Sequence, residues 1–291
     1  MPKLVWLNGQ VMPLETATTS VADHAHLYGD GLFEGIRIYN SLVWKLDEHL
    51  ERLYHGIRLL GFHMHIECAE LRKTLLDVCS QAQISDGYIR LNVTRGTGLG
   101  LDPKGIDTTP NVMIMVSTLA LYPQEAYEMG LSVVTSSIRV ISADALDPRL
   151  KCIGRYASNI LAKAEANRAG AGEGLMLNAL GQIAECTGDN IFLISKGIIR
   201  TPHASCGILK GVTRDTVIEI AKEAGYTVEE TFLSTFDAFA ADEAFLTGTA
   251  AEVIPMISLD TKPIGAGTPG PVTRDLMARF RAKTGVEGVP F

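Results

Sequence analysis

The sequence predicts an α+β fold in two domains, and three observations carry that prediction. At 291 residues the chain is long for one hydrophobic core and suits two. Stretches with the period of a strand alternate with stretches of helical period in both halves, which calls for mixed layers around sheets. The strong period is lost around Tyr122–Gly130, YPQEAYEMG, before a new strand begins at Leu131. The expected layout is a smaller N-terminal domain over 1–121, a linker at 122–130 and a larger C-terminal domain over 131–291.

The elements follow in order. Leu4–Leu7 and Val11–Met12 flank Asn8-Gly9, a pair that favours the tight turn of a hairpin. HLYGDGLFEGIRIYNSLVWKL reads as a glycine-rich loop and two strands turning at Asn40-Ser41. From Asp47 the apolar residues Leu50, Leu53, Tyr54 and Ile57 take helical spacing, with Asp47 as cap and Gly61 as stop. A second helix at 67–83 aligns Leu71, Leu75 and Val78. Strands Tyr88–Arg95 and Val112–Leu119 flank the turn-rich loop GTGLGLDPKGIDTTPN, whose length suggests that it covers something. The second half is expected to run strand 131–141, helix 156–169 with apolar positions Ile160, Leu161 and Ala164, strands 173–177 and 190–195, helix 213–224, strands 243–247 and 253–257, and helix 271–284.

Composition excludes several classes. A net charge of −7 argues against a protein that grips a nucleic-acid backbone, which needs clustered Lys and Arg. No apolar run approaches the ~20 residues that cross a bilayer. MPKLVWLNGQ lacks the pattern of a signal peptide, so a cytoplasmic protein is expected. Five cysteines form no CxxC pair, so five thiols and no metal site are expected. GTGLGLD is glycine-rich, but no helix follows before Pro103, so the context of a dinucleotide fingerprint is missing.

Several residues are placed to carry chemistry. Lys151 stands between Leu150, Cys152 and Ile153, neighbours that pull it inward. Burial disfavours the ammonium and frees a neutral amine as nucleophile or base; a lysine snorkelling from an element end is the plain alternative. Gly211 precedes a helix whose first residues, Val212 and Thr213, offer backbone N–H groups to an anion, unless the helix is simply capped. Thr247-Gly248-Thr249-Ala250-Ala251 offers small residues and two hydroxyls, as a second cradle or as a plain turn. Glu185 lies among apolar and small neighbours and must be paired, structurally or with a cofactor nitrogen. Arg52 sits beside the apolar stripe of its helix and can reach inward to a phosphate or a structural partner. Tyr88 and Arg90 alternate along a strand and point to one face, while Arg95 has the opposite parity. Lysine, acid, the tyrosine at Tyr156 and two cradles together are what a pyridoxal-phosphate pocket requires.

The chain resembles the fold-type IV pyridoxal-phosphate enzymes, and within them the branched-chain amino-acid aminotransferases. The resemblance is carried by YGDGLFEGIR, LDEHLERL, YIR, KCIGRY, EGLMLNALGQIAECTGDNIFLI, LKGVTRD and GTAAEVIP, in the family's order and over most of the chain. It implies a smaller N-terminal α/β sandwich and a larger C-terminal pseudo-barrel of mixed strands with helices. It also implies transamination of L-leucine, L-isoleucine and L-valine with 2-oxoglutarate, in ping-pong order through an internal aldimine on Lys151. Tyr156 would bond the phenolic oxygen of the cofactor, pyridoxal 5'-phosphate, and Glu185 would pair with its pyridine nitrogen. Arg52, the Val212 backbone, Thr213 and Thr249 would hold the phosphate. The Thr249, Ala250 and Ala251 backbone, with Tyr88 and Arg90, would take substrate carboxylates, and Phe33 and Gly35 would line the side-chain pocket. By the same resemblance Tyr28 reaches a partner subunit, making at least a homodimer whose small-molecule partners are amino acids and 2-keto acids. KCIGRY departs from the family at Cys152, Ile153 and Arg155, and Asp30 and Gly31 stand where relatives vary. The rivals are D-amino-acid aminotransferase, (R)-amine transaminase and aminodeoxychorismate lyase of the same fold, and a silent ligand-binding homologue; YIR with GTAAE favours the branched-chain group, and intact Lys151, Glu185 and Arg52 argue against silence.

Overall fold

Strand periodicity in the first hundred residues folds much as the sequence predicts. The computed structural model describes residues 4–106, 109–119 and 121–291. Contacts divide the chain into two units: Met1–Leu119 with Leu150–Arg155 and Thr284–Phe291, and Ala120–Arg149 with Tyr156–Lys283. The lysine segment and the C-terminus therefore group with the first unit, which a single cut along the chain does not foresee.

In the first unit, β1 (Leu4–Leu7) and β2 (Gln10–Pro13) form the hairpin at Asn8-Gly9. The helix α1 (His24–Tyr28), capped by Asp23, leads into β3 (Gly31–Tyr39). Asn40 and Ser41, both at positive φ, turn the chain into β4 (Leu42–Val43). Then come α2 (Leu46–Leu60), α3 (Cys68–Ala82), β5 (Gly87–Thr94) and β6 (Asn111–Ser117). The last strand of the chain, Val289–Pro290, pairs with β4, so the sheet has seven strands. The expected cap at Asp47 is placed too late: the helix opens at Leu46 after Lys45, which is in the left-handed region.

Alternation makes the two faces of this sheet different. Leu32, Glu34, Ile36 and Ile38 of β3 share a face with Ile89, Leu91 and Val93 of β5, because Leu32 lies opposite Val93, Glu34 opposite Leu91 and Ile36 opposite Ile89. The helices bury Leu46, Leu50, Leu53 and Ile57 of α2 and Leu71, Leu75 and Val78 of α3. Each such aliphatic side chain contributes about 1.5–3 kcal/mol, which an isolated fifteen-residue helix lacks. Phe33, Gly35, Tyr88, Arg90 and Asn92 occupy the other face.

The second unit is built on nine strands with helices. After α4 (Gln124–Met129) come β7 (Leu131–Arg139), α5 (Tyr156–Arg168), β8 (Glu173–Leu177), β9 (Ile183–Cys186), β10 (Asn190–Ser195) and β11 (Ile198–Pro202). Next are α6 (Val212–Glu223), β12 (Thr227–Thr231), α7 (Thr235–Phe239), β13 (Glu243–Gly248), β14 (Glu252–Leu259), β15 (Lys262–Pro263) and α8 (Pro271–Thr284). The strand order is β12-β11-β10-β13-β14-β7-β8-β9, with β15 on β14. Two pairings, β7–β8 and β7–β14, are parallel at the centre, and β9 curls back against β10 and β11. Residues 183–186, 198–202 and 227–231, unassigned by periodicity, are strands of four or five residues. Leu175, Ile183, Ile191, Leu193, Leu246 and Ile254 fill one side of the curl; Phe192, Ile194 and Phe245 face Val217, Ile220, Leu276 and Phe280 on the other.

The expected apolar stripe of α5 is reversed. Asn159, Ala162 and Ala166 are buried, while Ile160 and Leu161 are 68% and 57% exposed. Close packing of α5 on β7 and β8 selects small side chains: a Cβ at Gly174 would lie 3.2 Å from the Ala162 carbonyl oxygen. Among the described residues, no helix is long and apolar enough to cross a membrane.

Candidate active site

In the first unit the lysine segment runs in extended form beside the start of β3, held by a single antiparallel bridge. Phe33 N–H donates to the Lys151 carbonyl at 3.1 Å, Ile153 N–H to Gly31 at 2.8 Å, and Gly154 N–H to Gly29 at 3.0 Å. Leu32 and Cys152 form the bridge between them. Gly29 makes this possible: it sits at φ 71°, and a Cβ there would lie 2.6 Å from Gly154 Cα. The result is that the Lys151 ammonium stands 4.6 Å from the centre of the Phe33 ring, half-buried rather than enclosed.

The same ring carries a second cation. The Arg90 guanidinium lies 3.7 Å from the Phe33 centroid, and its Nε donates to Asn92 Oδ1 at 2.8 Å. Tyr88 reaches across to Gly35, where any side chain would collide with the phenol. Phe33, Gly35, Tyr88 and Arg90 are thus gathered on one face, as strand parity predicts. Arg95 lies beyond the end of β5; it pairs with Asp30 at 2.5 Å and packs on Phe62.

Arg52 lies on the opposite, helix-covered side of the sheet. Its Nε and Nη2 donate to the two oxygens of Glu34 at 2.8 and 2.7 Å, and the same carboxylate meets His49 Nδ1 at 2.8 Å. Burial alone would raise the Glu34 carboxyl, but the Arg52 guanidinium and His49 hold it down to about 2. Burial keeps His49 below its ordinary pKa, so the neutral ring donates Nδ1–H to the carboxylate. His49 Nε2 is buried and unpartnered. This trio was not singled out from sequence. A signal was present: Glu34 shares the strand parity of Leu32 and Ile36, and a carboxylate on a core face demands a cationic partner. Tyr28 closes α1, 48% exposed and 4.7 Å from the His24 ring.

In the second unit, the candidates converge on the turn between β9 and β10. Glu185 is buried at the end of β9, and its Oε2 accepts Leu209 N–H at 2.7 Å. Asn190 Nδ2 donates to the Leu209 carbonyl at 2.9 Å and lies 3.5 Å from the same carboxylate oxygen. Asn190 also packs against Gly211, the residue before α6, and Asp189 packs against Gly248. The first turn of α6 receives no side-chain cap, so the N–H groups at Val212 and Thr213 present the positive end of a twelve-residue helix. Thr249, Ala250 and Ala251 form the loop joining β13 to β14, beside the buried and unpartnered Thr247 hydroxyl. Tyr156 opens α5, whose Asn159 donates to the Thr187 carbonyl at 2.8 Å. Arg155 is buried, and nothing in the sequence predicted its place.

Taken singly, these groups suit the parts of a phosphorylated pyridine. An uncapped helix N-terminus and threonine hydroxyls suit the phosphate, a buried carboxylate fixed by a backbone N–H suits a protonated ring nitrogen, and a primary amine suits an aldehyde. Among the described residues, no cluster of three His, Cys, Asp or Glu could hold a metal ion.

Comparison with known proteins agrees with this chemistry. The family model "Amino-transferase class IV" matches residues 31–259. A Methanocaldococcus jannaschii protein, provisionally named a branched-chain-amino-acid aminotransferase, is 39% identical over 97% of this chain and 98% of its own length. The Escherichia coli branched-chain-amino-acid aminotransferase is 34% identical over 95% of this chain and 91% of its own. Among solved structures, a T.th. branched-chain amino acid aminotransferase with pyridoxamine 5'-phosphate superposes with a TM-score of 0.93 at 36% identity, covering 98% of this chain and 94% of that one. Its complex with N-(5'-phosphopyridoxyl)-L-glutamate gives a TM-score of 0.91 at 35% identity, covering 97% and 94%.

Proposed function

The chain belongs to the class IV aminotransferase family, and from that premise we propose that it transfers the amino group of L-branched-chain amino acids to 2-oxoglutarate with pyridoxal 5'-phosphate. Relatives named for this activity match nearly its whole length. When bound, the coenzyme supplies an aldehyde for the amino group and an electron-withdrawing ring that stabilises negative charge at substrate Cα. The observation that carries the reading is the convergence of a buried carboxylate, Glu185, and the uncapped start of α6 on a single turn.

The residues then take distinct tasks. Lys151 would hold the coenzyme through Nζ, and its free amine would move the proton away from substrate Cα. Glu185 holds the proton on the ring nitrogen, and Tyr156 donates to the phenolic oxygen. The Val212 backbone, Thr213, Thr249 and Arg52 hold the phosphate, with Glu34 fixing the Arg52 fork. The Thr249, Ala250 and Ala251 backbone, with Tyr88 and Arg90, receives carboxylates, and Phe33 and Gly35 line the side-chain pocket. The exposed Tyr28 reaches a partner subunit of at least a homodimer. The five cysteines are free, in keeping with a cytoplasmic protein.

Visible spectra of the reconstituted holoenzyme test the reading. L-leucine is expected to bleach the band of the aldehyde form and raise that of the amine form. Bleaching by D-alanine alone assigns the chain to a D-specific enzyme instead. Arg90→Ala is expected to slow the glutamate half-reaction more than the leucine one, and equal loss on both would remove Arg90 from carboxylate recognition.

A further inference from the structure

We propose that Asn92 sets the substrate range by fixing which edge of the Arg90 guanidinium is open to a dicarboxylate. The inference rests on the carboxylate-binding role of Arg90 given above. A guanidinium can grip a carboxylate through two edges, one containing Nε and one formed by the two terminal nitrogens. Asn92 Oδ1 takes the Nε–H at 2.8 Å and closes the first edge. The Phe33 ring, 3.7 Å from the guanidinium carbon, covers one flat face. Arg90 makes no other hydrogen bond or ion pair among the described residues, so the terminal edge is the one left to a ligand.

Charge supports the same assignment. Arg52 is neutralised by Glu34 and Arg95 by Asp30. Arg90 is braced by a neutral amide and a ring, so it is positioned without losing its charge. Such a cation tolerates an apolar substrate side chain, which rests on the ring and the guanidinium plane, and still pairs with a distal carboxylate. Local preference argues that Asn92 is there for this purpose. Asparagine is poorly suited to mid-strand positions, yet Asn92 sits within β5 between Phe33 on β3 and Met113 on β6. Parity places it on the same face as Arg90, two residues along.

The test measures half-reaction kcat/KM of the holoenzyme for L-glutamate and L-leucine in the wild type, Asn92→Leu, Asn92→Asp and Arg90→Ala. Asn92→Leu removes the acceptor at similar volume, and the glutamate-to-leucine ratio is expected to fall about tenfold, as for one lost charge-assisted hydrogen bond, chiefly through the KM for glutamate. Asn92→Asp keeps an acceptor for Nε but cancels the charge, and its ratio is expected to fall at least as far. The inhibition constant of glutarate should rise in both variants relative to that of 4-methylpentanoate. An unchanged ratio in both Asn92 variants, or equal loss on both substrates, overturns the proposal for Asn92. Equal loss on both substrates in Arg90→Ala instead removes the role of Arg90 on which it rests.

Discussion

At the scale of single residues, the Glu34–His49–Arg52 trio turns a buried carboxylate into an asset. Glu34 and His49 are fully enclosed, and only the pairing makes their burial tolerable. The consequence for pH follows from the direction of each shift. The Glu34 carboxyl falls from an ordinary 4.5 to about 2 on folding, so its contribution is complete above 4.5 and is lost as pH falls from there towards 2. His49 is lowered from 6.5, so the unfolded chain takes up its proton first and stability declines as pH falls below that value. Denaturant titrations of the protein are expected to show both declines, with His49→Gln flattening the upper one and Glu34→Gln the lower. An acid limb below pH 4.5 as steep in Glu34→Gln as in the wild type would contradict the account. At Gly35 the prediction is steric: Gly35→Ala drives a methyl group into the Tyr88 phenol and should reduce kcat/KM for leucine and glutamate alike, given the carboxylate-binding role proposed for Tyr88.

At the scale of elements, α5 shows why periodicity alone misreads a helix that packs closely on a sheet. Ile160 and Leu161 look like core positions, but the helix lies too near β8 for branched side chains. Alanine packs there, and the helix is anchored by Asn159 on the Thr187 carbonyl instead of by an apolar stripe. Ala162→Leu is therefore expected to destabilise by about 1–3 kcal/mol through overpacking, whereas Ile160→Ser should stay within about 0.5 kcal/mol. Urea denaturation of the two variants separates these outcomes, and the reverse ranking would restore the face read from sequence. The start of α6 shows the complementary case. Gly211 cannot cap with a side chain, which leaves the helix end to a ligand or to water.

At the scale of the molecule, two consequences stand out. The C-terminal strand at Val289–Pro290 pairs with β4, and Asn40 Nδ2 donates to the Gly285 carbonyl at 3.0 Å, so the end of the chain closes the edge of the first sheet. Deleting residues 286–291 should raise hydrogen exchange at Leu42 and Val43 while leaving Ile89 and Leu91, central in the sheet, protected. The second consequence is linkage. A coenzyme that binds only the folded chain stabilises it by about 2.7 kcal/mol at a hundredfold excess over its Kd, so pyridoxal phosphate should raise Tm clearly. Lys151→Ala should lose much of that rise, and an equal rise in both proteins would detach Lys151 from coenzyme binding.

The sequence by itself determined much of this protein. Turn pairs at Asn8-Gly9 and Asn40-Ser41, the stripes of α2 and α3, and the shared parity of Tyr88 and Arg90 are local properties, governed by φ preference and by periods of 3.6 and 2. Lys151, Glu185 and the start of α6 stand out as candidates in the sequence because lysine, acid and small residues in such settings are costly without a use. What only the tertiary structure decided is who meets whom. Asn92 and Glu34 reveal themselves once β3 and β5 are in register, β9 is too short for a period, and the buried face of α5 is chosen by the sheet beneath it. Pairing of segments distant in sequence depends on backbone register and packing distance, which a local pattern of residues does not encode.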